Sequence, residues 1–187
     1  RVCQMMSDDL EELDNLIDAS LTYSRFEREQ PELHLTRVDL EEWLNESVDA
    51  IRILGKSLEL SVDCSALPRG QQVELDLKSM PYALTNLLRN AIKYAKGENA
   101  KVQLTVQADR HNIVIRFRDN GPGISPKNRK LVFKPFRRTK DATNSRKPGV
   151  GLGLALARDT ARSLGGDLKL EFGTLGGASF LLTLPKS

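Results

Sequence analysis

Residues 84–94 read LTNLLRNAIKY, and this segment is the most informative in the chain. Its apolar residues recur with helical periodicity, which predicts a helix. Asn86, Asn90, Lys93 and Tyr94 occur at offsets of zero, four, seven and eight, so they share one face of that helix. The segment therefore predicts a helix that presents two carboxamides, an ammonium group and a phenol along an otherwise apolar surface.

Two interpretations of this polar face are open. Carboxamide oxygens suit Mg²⁺, which uses few protein ligands together with waters and phosphates, so Asn86 and Asn90 are candidate metal ligands. Lys93 could then contact a phosphate, and Tyr94 could lie against a base. Alternatively, the face is simply solvated and the asparagines are tolerated there, although Asn is a poor helix former.

The segments on either side predict an α+β architecture, in which helices lie on one face of a mixed sheet. Asp39 is suited to cap a helix that runs to about Leu54, and Asp109-Arg110-His111 predicts a hairpin turn. The remaining helices are predicted at about 79–95, 126–133 and 151–164, and the strands at 33–38, 58–64, 72–77, 101–108, 112–119, 167–172 and 178–184.

The sequence Asp119-Asn120-Gly121-Pro122-Gly123-Ile124 follows one of these strands directly. Asp119, at the strand end, is well placed to accept a hydrogen bond from an exocyclic amino group such as that of adenine. Gly121 and Gly123 would let the backbone approach a flat ring closely. The same residues are also typical of a plain turn, so both interpretations stay open here.

A third cluster, Gly149-Val150-Gly151-Leu152-Gly153-Leu154, stands at the start of a predicted helix. Helix starts present free N–H groups to phosphates, and closely spaced glycines let the backbone wrap an anion. The third glycine of a dinucleotide-binding fingerprint is absent from this cluster.

A basic stretch precedes that cluster, with nine Lys or Arg residues against the single acid Asp141 between residues 125 and 148, and it should attract a polyanion. Its part from about residue 134 is predicted to be a loop. Within the stretch, Phe133 and Phe136 could anchor the loop while Arg137 and Arg138 reach out; a mobile solvated loop is the alternative. The sequence Gly176-Gly177-Ala178-Ser179-Phe180 would start a strand close to the same candidate site, or form only a hairpin turn.

Residues 1–28 are predicted to form one helix with a narrow apolar stripe at Met6, Leu10, Leu13, Ile17 and Leu21. Such a stripe is typical of a coiled-coil or helix-bundle seam, so it predicts self-association through a partner helix. The alternative is that the stripe packs on its own domain.

The bulk composition narrows the function classes. The net charge of +3 over 187 residues argues against a dedicated nucleic-acid binder. Two cysteines without metal-like spacing argue against a disulfide framework or a zinc site. No apolar run is long enough to span a bilayer. Because the chain begins with Arg1, we expect it to be a fragment of a longer protein.

In this order and spacing, the clusters resemble the catalytic, ATP-binding domain of sensor histidine kinases, a Bergerat-type member of the superfold shared with gyrase. Residues 86–94 resemble the family's N box, 119–124 its G1 box, 133–138 its F box and 149–154 its G2 box. Residues 176–180 resemble the last Gly-rich box, with Ala and Ser where the family often has Thr. Residues 1–29 resemble the second helix of its dimerisation and phosphotransfer hairpin.

The resemblance implies a two-layer sandwich over residues 30–187, preceded by one long helix, with ATP·Mg²⁺ between the N-box helix and a lid at about 134–150. It implies that Asn86 and Asn90 hold the metal and that Asp119 holds the adenine amino group. The residues implied to contact ATP are Asn86, Asn90, Lys93, Tyr94, Asp119, Gly121, Gly123, Ile124, Phe133, Arg137, Arg138, Gly149, Val150, Gly151, Leu152, Gly153 and Ser179.

One departure from the family concerns the phosphoacceptor, a His followed by an acidic residue on the first hairpin helix. The only histidines, His34 and His111, have neither that sequence nor a helical setting. We therefore expect the acceptor upstream of Arg1, in a membrane-anchored sensor of which this is a cytoplasmic part serving a response regulator. The alternatives are a Ser/Thr protein kinase of the same superfold that acts on a regulatory partner, and a non-enzymatic, nucleotide-gated dimerisation module.

Overall fold

The structure is a computed structural model that describes Ser24 and residues 32–54, 58–95, 100–138, 150–171 and 177–186. The predicted helix over residues 1–28, with its proposed self-association, therefore lies outside the described residues except for Ser24. The same holds for Gly149 and for most of the predicted lid.

Helices and strands alternate irregularly along the chain, as predicted. In order they are β1 (Leu35–Asp39), α1 (Leu40–Leu54), β2 (Leu58–Ala66), β3 (Gln72–Asp76), α2 (Met80–Tyr94), β4 (Ala100–Ala108), β5 (Asn112–Asp119), a 3-10 turn (Pro126–Asn128), α3 (Gly153–Ser163), β6 (Asp167–Glu171) and β7 (Ser179–Pro185).

The strands form a five-stranded sheet in the order β2-β4-β5-β7-β6 and a separate antiparallel pair of β1 and β3. β2 runs parallel to β4, whereas the other neighbours in the larger sheet are antiparallel. The sheet is thus mixed, which confirms the predicted α+β class. β5 is the central strand, so the loop after Asp119 begins at the end of the sheet, midway between its two edge strands.

One face of the larger sheet carries the core. Alternate residues of β4, β5 and β7, including Leu104, Ile115 and Leu182, are buried on this face. α2 packs against β4 and against α3, and α3 packs against β6 and β7. The residues between them in sequence, such as Lys101 and Arg118, are not part of that core. The domain therefore has two layers, the five-stranded sheet and the helices that cover one of its faces.

The start of α1 confirms the predicted cap. Asp39 Oδ1 accepts hydrogen bonds from the backbone N–H groups of Glu41 and Glu42, at 3.0 and 3.1 Å. These are two of the N–H groups that a helix start leaves without a partner inside the helix. The cap therefore fixes where β1 ends and α1 begins.

The predicted helix at 126–133 is only a 3-10 turn followed by further turns. The N–H groups of Leu131 and Lys134 donate to carbonyls three residues back, those of Asn128 and Leu131. Pro135 disfavours helical backbone at the residue before it, so a longer helix cannot continue through this segment. Within the described ranges, no helix is both long and apolar enough to cross a membrane.

Asp159 on α3 gives a first prediction, on stability. Burial raises the pKa of this carboxyl, and the charges of Arg162 and Arg158 only partly offset that effect. Because a raised pKa means that the charged form is disfavoured in the folded state, Asp159→Asn should raise Tm at pH 7 by about 1–3 °C. The gain should shrink as the pH falls through the folded-state pKa and vanish below the ordinary value of 3.8.

The matched control is Asp63→Asn, because hydrogen bonds from Ser65 lower the pKa of Asp63 instead. Thermal unfolding between pH 3 and 8 should therefore show no gain for that variant. A Tm for Asp159→Asn at or below that of the unaltered protein at pH 7 would contradict the prediction.

Candidate functional site

The polar face of α2 is built as the sequence predicts. Asn86, Asn90, Lys93 and Tyr94 are all half-buried, while Leu87, Leu88 and Ala91 between them face the core. The Lys93 ammonium lies 5.4 Å from the centroid of the Tyr94 ring, within range of a cation–π contact. The four side chains thus line one edge of the helix layer.

Asn86 lies beneath the start of α3. A Cβ atom placed on Gly153 would lie 3.1 Å from Asn86 Oδ1, so the glycine allows the two helices to approach here. The Asn86 Nδ2 atom is buried and has no hydrogen-bond partner among the residues that the structure describes. A buried amide atom without a partner is destabilising by about 1–3 kcal/mol. A bound ligand could supply the partner that the Asn86 carboxamide lacks.

Asp119 ends β5 with one carboxylate oxygen committed and the other available. Its Oδ1 accepts hydrogen bonds from the backbone N–H groups of Gly121 and Ala178, at 2.8 and 2.9 Å. Its Oδ2 accepts none from any residue that the structure describes. The main-chain donors therefore fix the plane of the carboxylate and leave one acceptor atom for a partner that carries an N–H group.

Two glycines bring the surrounding backbone close to Asp119. A Cβ atom on Gly121 would lie 2.9 Å from Asp119 Oδ1 and 3.1 Å from the Tyr94 carbonyl oxygen. A Cβ atom on Gly177 would lie only 1.6 Å from the Asp119 carbonyl oxygen. The end of α2, the end of β5 and the start of β7 therefore meet at this point, which the separate sequence clusters did not reveal individually.

The start of α3 contacts the 133–138 segment. Gly151 has a φ of +79°, and a Cβ atom there would lie 2.7 Å from the Arg137 carbonyl oxygen. Leu152 is 1% exposed, so only its backbone could face a ligand. Val150 and Gly153 are half-buried, and the first turn of α3 presents its backbone N–H groups beside Asn86.

Phe133 is half-buried, whereas Arg137 and Arg138 are exposed. The Phe133 ring packs edge-on against Phe180, with 6.3 Å between ring centroids. Ile124 packs against the edge of the core. The polar face of α2, Asp119 with its glycines, and the start of α3 with its basic neighbours thus border one region of the helix layer.

Comparison with known proteins supports this geometry. Residues 75–187 match the family described as histidine kinase-, DNA gyrase B- and HSP90-like ATPases. The chain belongs to this ATPase family. The match begins in β3 and includes α2, Asp119 and α3, which are the elements that build the site.

Several curated relatives of this ATPase-family chain are named as sensor proteins or sensor histidine kinases. The sensor protein RstB of Escherichia coli is 34% identical over 97% of the chain, which covers 41% of RstB. The sensor histidine kinase MtrB of Mycobacterium tuberculosis is 34% identical over 99% of the chain, which covers 32% of MtrB. The chain thus spans about a third to two fifths of these relatives.

Solved structures of related domains superpose on the ATPase-family fold. The mycobacterial sensor histidine kinase MprB matches 81% of this chain and 97% of its own, with 29% identity and a TM-score of 0.67. Full-length ShkA, solved in complex with AMPPNP, matches 94% of this chain and 36% of its own, with 26% identity and a TM-score of 0.77.

Among the predicted site residues that the structure describes, Ser179 has its side chain on the opposite face of the sheet. It is 3% exposed and pairs with Arg118 in the β5–β7 ladder, so it faces away from the helix layer. Its Oγ donates to Glu171 Oε2 at 3.0 Å, and Arg116 Nε lies 2.7 Å from the same oxygen. The bond from Arg116 lowers the pKa of Glu171. In this ATPase-family domain, the neighbouring Ala178 reaches Asp119 through its backbone instead.

Proposed function

We propose that the chain is the ATP·Mg²⁺-binding kinase module of a sensor histidine kinase. In this role it transfers the γ-phosphoryl group of ATP to a histidine on a hairpin outside this sequence, for relay to a response regulator. The observation that carries the proposal is Asp119, whose Oδ1 is held by two backbone N–H groups while Oδ2 is left to accept from a ligand.

The ligand chemistry that these residues favour is that of adenosine triphosphate. Asp119 Oδ2 would accept from the adenine amino group, and the glycines around it leave room for a flat ring. Lys93, Arg137, Arg138 and the first N–H groups of α3 would contact the phosphates, as would Gly149, which lies outside the described residues.

Asn86 and Asn90 would hold Mg²⁺, and the buried, unpartnered amide of Asn86 fits that role. A flip of the Asn86 carboxamide exchanges the positions of its nitrogen and oxygen, so the group can present its oxygen to a cation. The ion would supply neutralisation of the charge on the phosphates.

The relatives support the wider assignment. They are sensor kinases, and one similar structure holds AMPPNP. By this likeness we infer a membrane-anchored parent protein, with a domain boundary near residue 30 and a dimerisation helix over residues 1–29. The chain's role is then to hold and position the nucleotide, because phosphoryl transfer depends mainly on positioning and on charge neutralisation.

Asn90→Ala tests the metal site. The variant should weaken ATP binding about tenfold in Mg²⁺ and change it little in EDTA, because only a metal-mediated contact is removed. Titration with a fluorescent ATP analogue measures both affinities. Asn45→Ala, an exposed asparagine on α1, is the matched control and should leave both affinities unaltered. Equal weakening of Asn90→Ala with and without Mg²⁺ would refute the metal role.

Phosphoryl transfer is tested by mixing the chain with ATP·Mg²⁺ and a separately made hairpin that carries a His followed by an acidic residue. An acid-labile phosphohistidine on the hairpin is the expected product. Phosphoserine or phosphothreonine on a protein partner would instead favour a Ser/Thr protein kinase. Nucleotide binding without any transfer would favour a nucleotide-gated dimerisation module.

A further inference from the structure

Arg158 on α3 joins two parts of the molecule that the sequence clusters do not connect. Its guanidinium carbon lies 4.8 Å from the centroid of the Phe133 ring. On its other side, Arg158 Nε and Nη2 donate to the two carboxylate oxygens of Asp167, at 2.9 and 3.3 Å. Arg158 therefore bridges the 133–138 segment and β6.

This bridge is rigid because of the shape of the guanidinium. A two-point hydrogen bond to a carboxylate fixes the plane of the group, and the flat face is then free to cover an aromatic ring. Asp167 is well suited as the anchor. Burial alone would raise its pKa, but the bonds from Arg158, Leu168 and Arg162 outweigh burial and lower it, so the carboxylate stays charged at neutral pH.

Phe133 is consequently enclosed from two directions, by Arg158 on α3 and by the core residue Phe180 on β7. Four residues further on, the Arg137 backbone contacts Gly151 just before α3 begins. The 133–138 segment is therefore attached near both ends to α3 or to the residues that lead into it.

We propose that Arg158 is a positioning residue: through Phe133 it holds the 133–138 segment against the start of α3, so that Arg137 and Arg138 are presented to the nucleotide. The part that concerns the nucleotide rests on the function proposed above. The part that concerns the segment rests only on the described contacts.

The first test measures the segment without any nucleotide. Arg158→Met removes the planar group, so backbone N–H exchange at Lys134 and Arg137, which donate to Leu131 and Lys134, should accelerate about tenfold. Exchange in β5 should stay unaltered. Arg162→Met is the matched control, because Arg162 also pairs with Asp167, at 3.1 Å, but its side chain is 53% exposed. In the described part of the chain, the cation over the Phe133 ring is Arg158 and not Arg162.

The second test measures ATP affinity in a double-mutant cycle with Phe133→Leu. Arg158→Met alone should weaken binding about fivefold to tenfold, and Arg162→Met less than twofold. In the Phe133→Leu background, Arg158→Met should have almost no further effect. Arg158→Lys, which keeps the charge but loses the flat face, should behave like Arg158→Met in exchange while unfolding at nearly the unaltered temperature.

Unaltered exchange at Lys134 and Arg137 in Arg158→Met would overturn the proposal, as would an affinity loss that persists in full when Phe133 is Leu. Absence of nucleotide binding by the unaltered protein is a different result. It would refute the proposed function, while the exchange measurement would still decide whether Arg158 positions the segment.

Discussion

Asp119→Asn should weaken ATP binding about tenfold to a hundredfold while leaving the fold intact. The Asn oxygen can still accept from the backbone N–H groups of Gly121 and Ala178, so the turn is kept. The outward atom changes from an acceptor to an NH₂ donor, which would face the adenine amino group. Loss of a hydrogen bond to a charged group is worth about 1.5–3 kcal/mol, and each 1.4 kcal/mol is a factor of about ten in affinity.

The same substitution should reverse base preference. Inosine triphosphate carries a carbonyl where adenine carries the amino group, so the unaltered protein should prefer ATP and Asp119→Asn should prefer inosine triphosphate. Competition titration of both nucleotides against one fluorescent analogue measures this ratio. Equal loss of affinity for both nucleotides would mean that Asp119 contacts neither base edge.

Asp109→Asn is the matched control at the opposite end of β5. Asp109 Oδ1 also accepts two backbone N–H groups, from His111 and Asn112, at 2.8 and 2.7 Å. These bonds lower the pKa of Asp109. The substitution is thus chemically the same, in a turn at the far end of the strand, and it should change neither affinity nor base preference.

Gly177→Ala should strongly reduce both the stability of the fold and the binding of ATP. The added Cβ would lie 1.6 Å from the Asp119 carbonyl oxygen, which belongs to the backbone and cannot rotate away. We expect a loss of about 3 kcal/mol or more in the free energy of unfolding, which lowers Tm by roughly 6–12 °C in a protein of this size. In the molecules that remain folded, the shift of Asp119 should remove ATP binding.

Gly166→Ala separates these two effects. A Cβ atom at that position would lie 1.8 Å from the Thr183 carbonyl oxygen, near the other end of β7. The expected loss of stability is similar, but Asp119 is undisturbed. Below its own Tm, this variant should bind ATP with unaltered affinity, as isothermal calorimetry would show. Unaltered ATP affinity in Gly177→Ala would contradict the prediction for Asp119.

Much of the fold and part of the site follow from local sequence patterns. Helical periodicity places Asn86 and Asn90 on one face whatever the helix packs against. Alternation of apolar residues identifies β4, β5 and β7, and the end of β5 locates Asp119. The face of Ser179 could also have been predicted, because Phe180, Leu182 and Leu184 alternate with it and must point into the core.

The remaining features depend on contacts between distant segments. One of the two N–H groups that hold Asp119 Oδ1 comes from Ala178, 59 residues further along the chain. Asp167 pairs with Arg158 from a different element, and the Phe133 ring lies against both Arg158 and Phe180. No spacing rule relates such residues, because their proximity is created by the order of strands in the sheet and not by any local period.

The dependence of Asp119 on Ala178 also sets when the site can exist during synthesis. A nascent chain that has emerged only as far as β6 already contains Asn86, Asp119 and Gly153, yet it lacks Ala178, one of the two donors that orient the carboxylate. Such an intermediate should therefore bind ATP weakly, and ATP should not guide its folding. Nucleotide binding is then expected only after the central sheet is complete. Partly synthesised chains would not compete with finished ones for ATP.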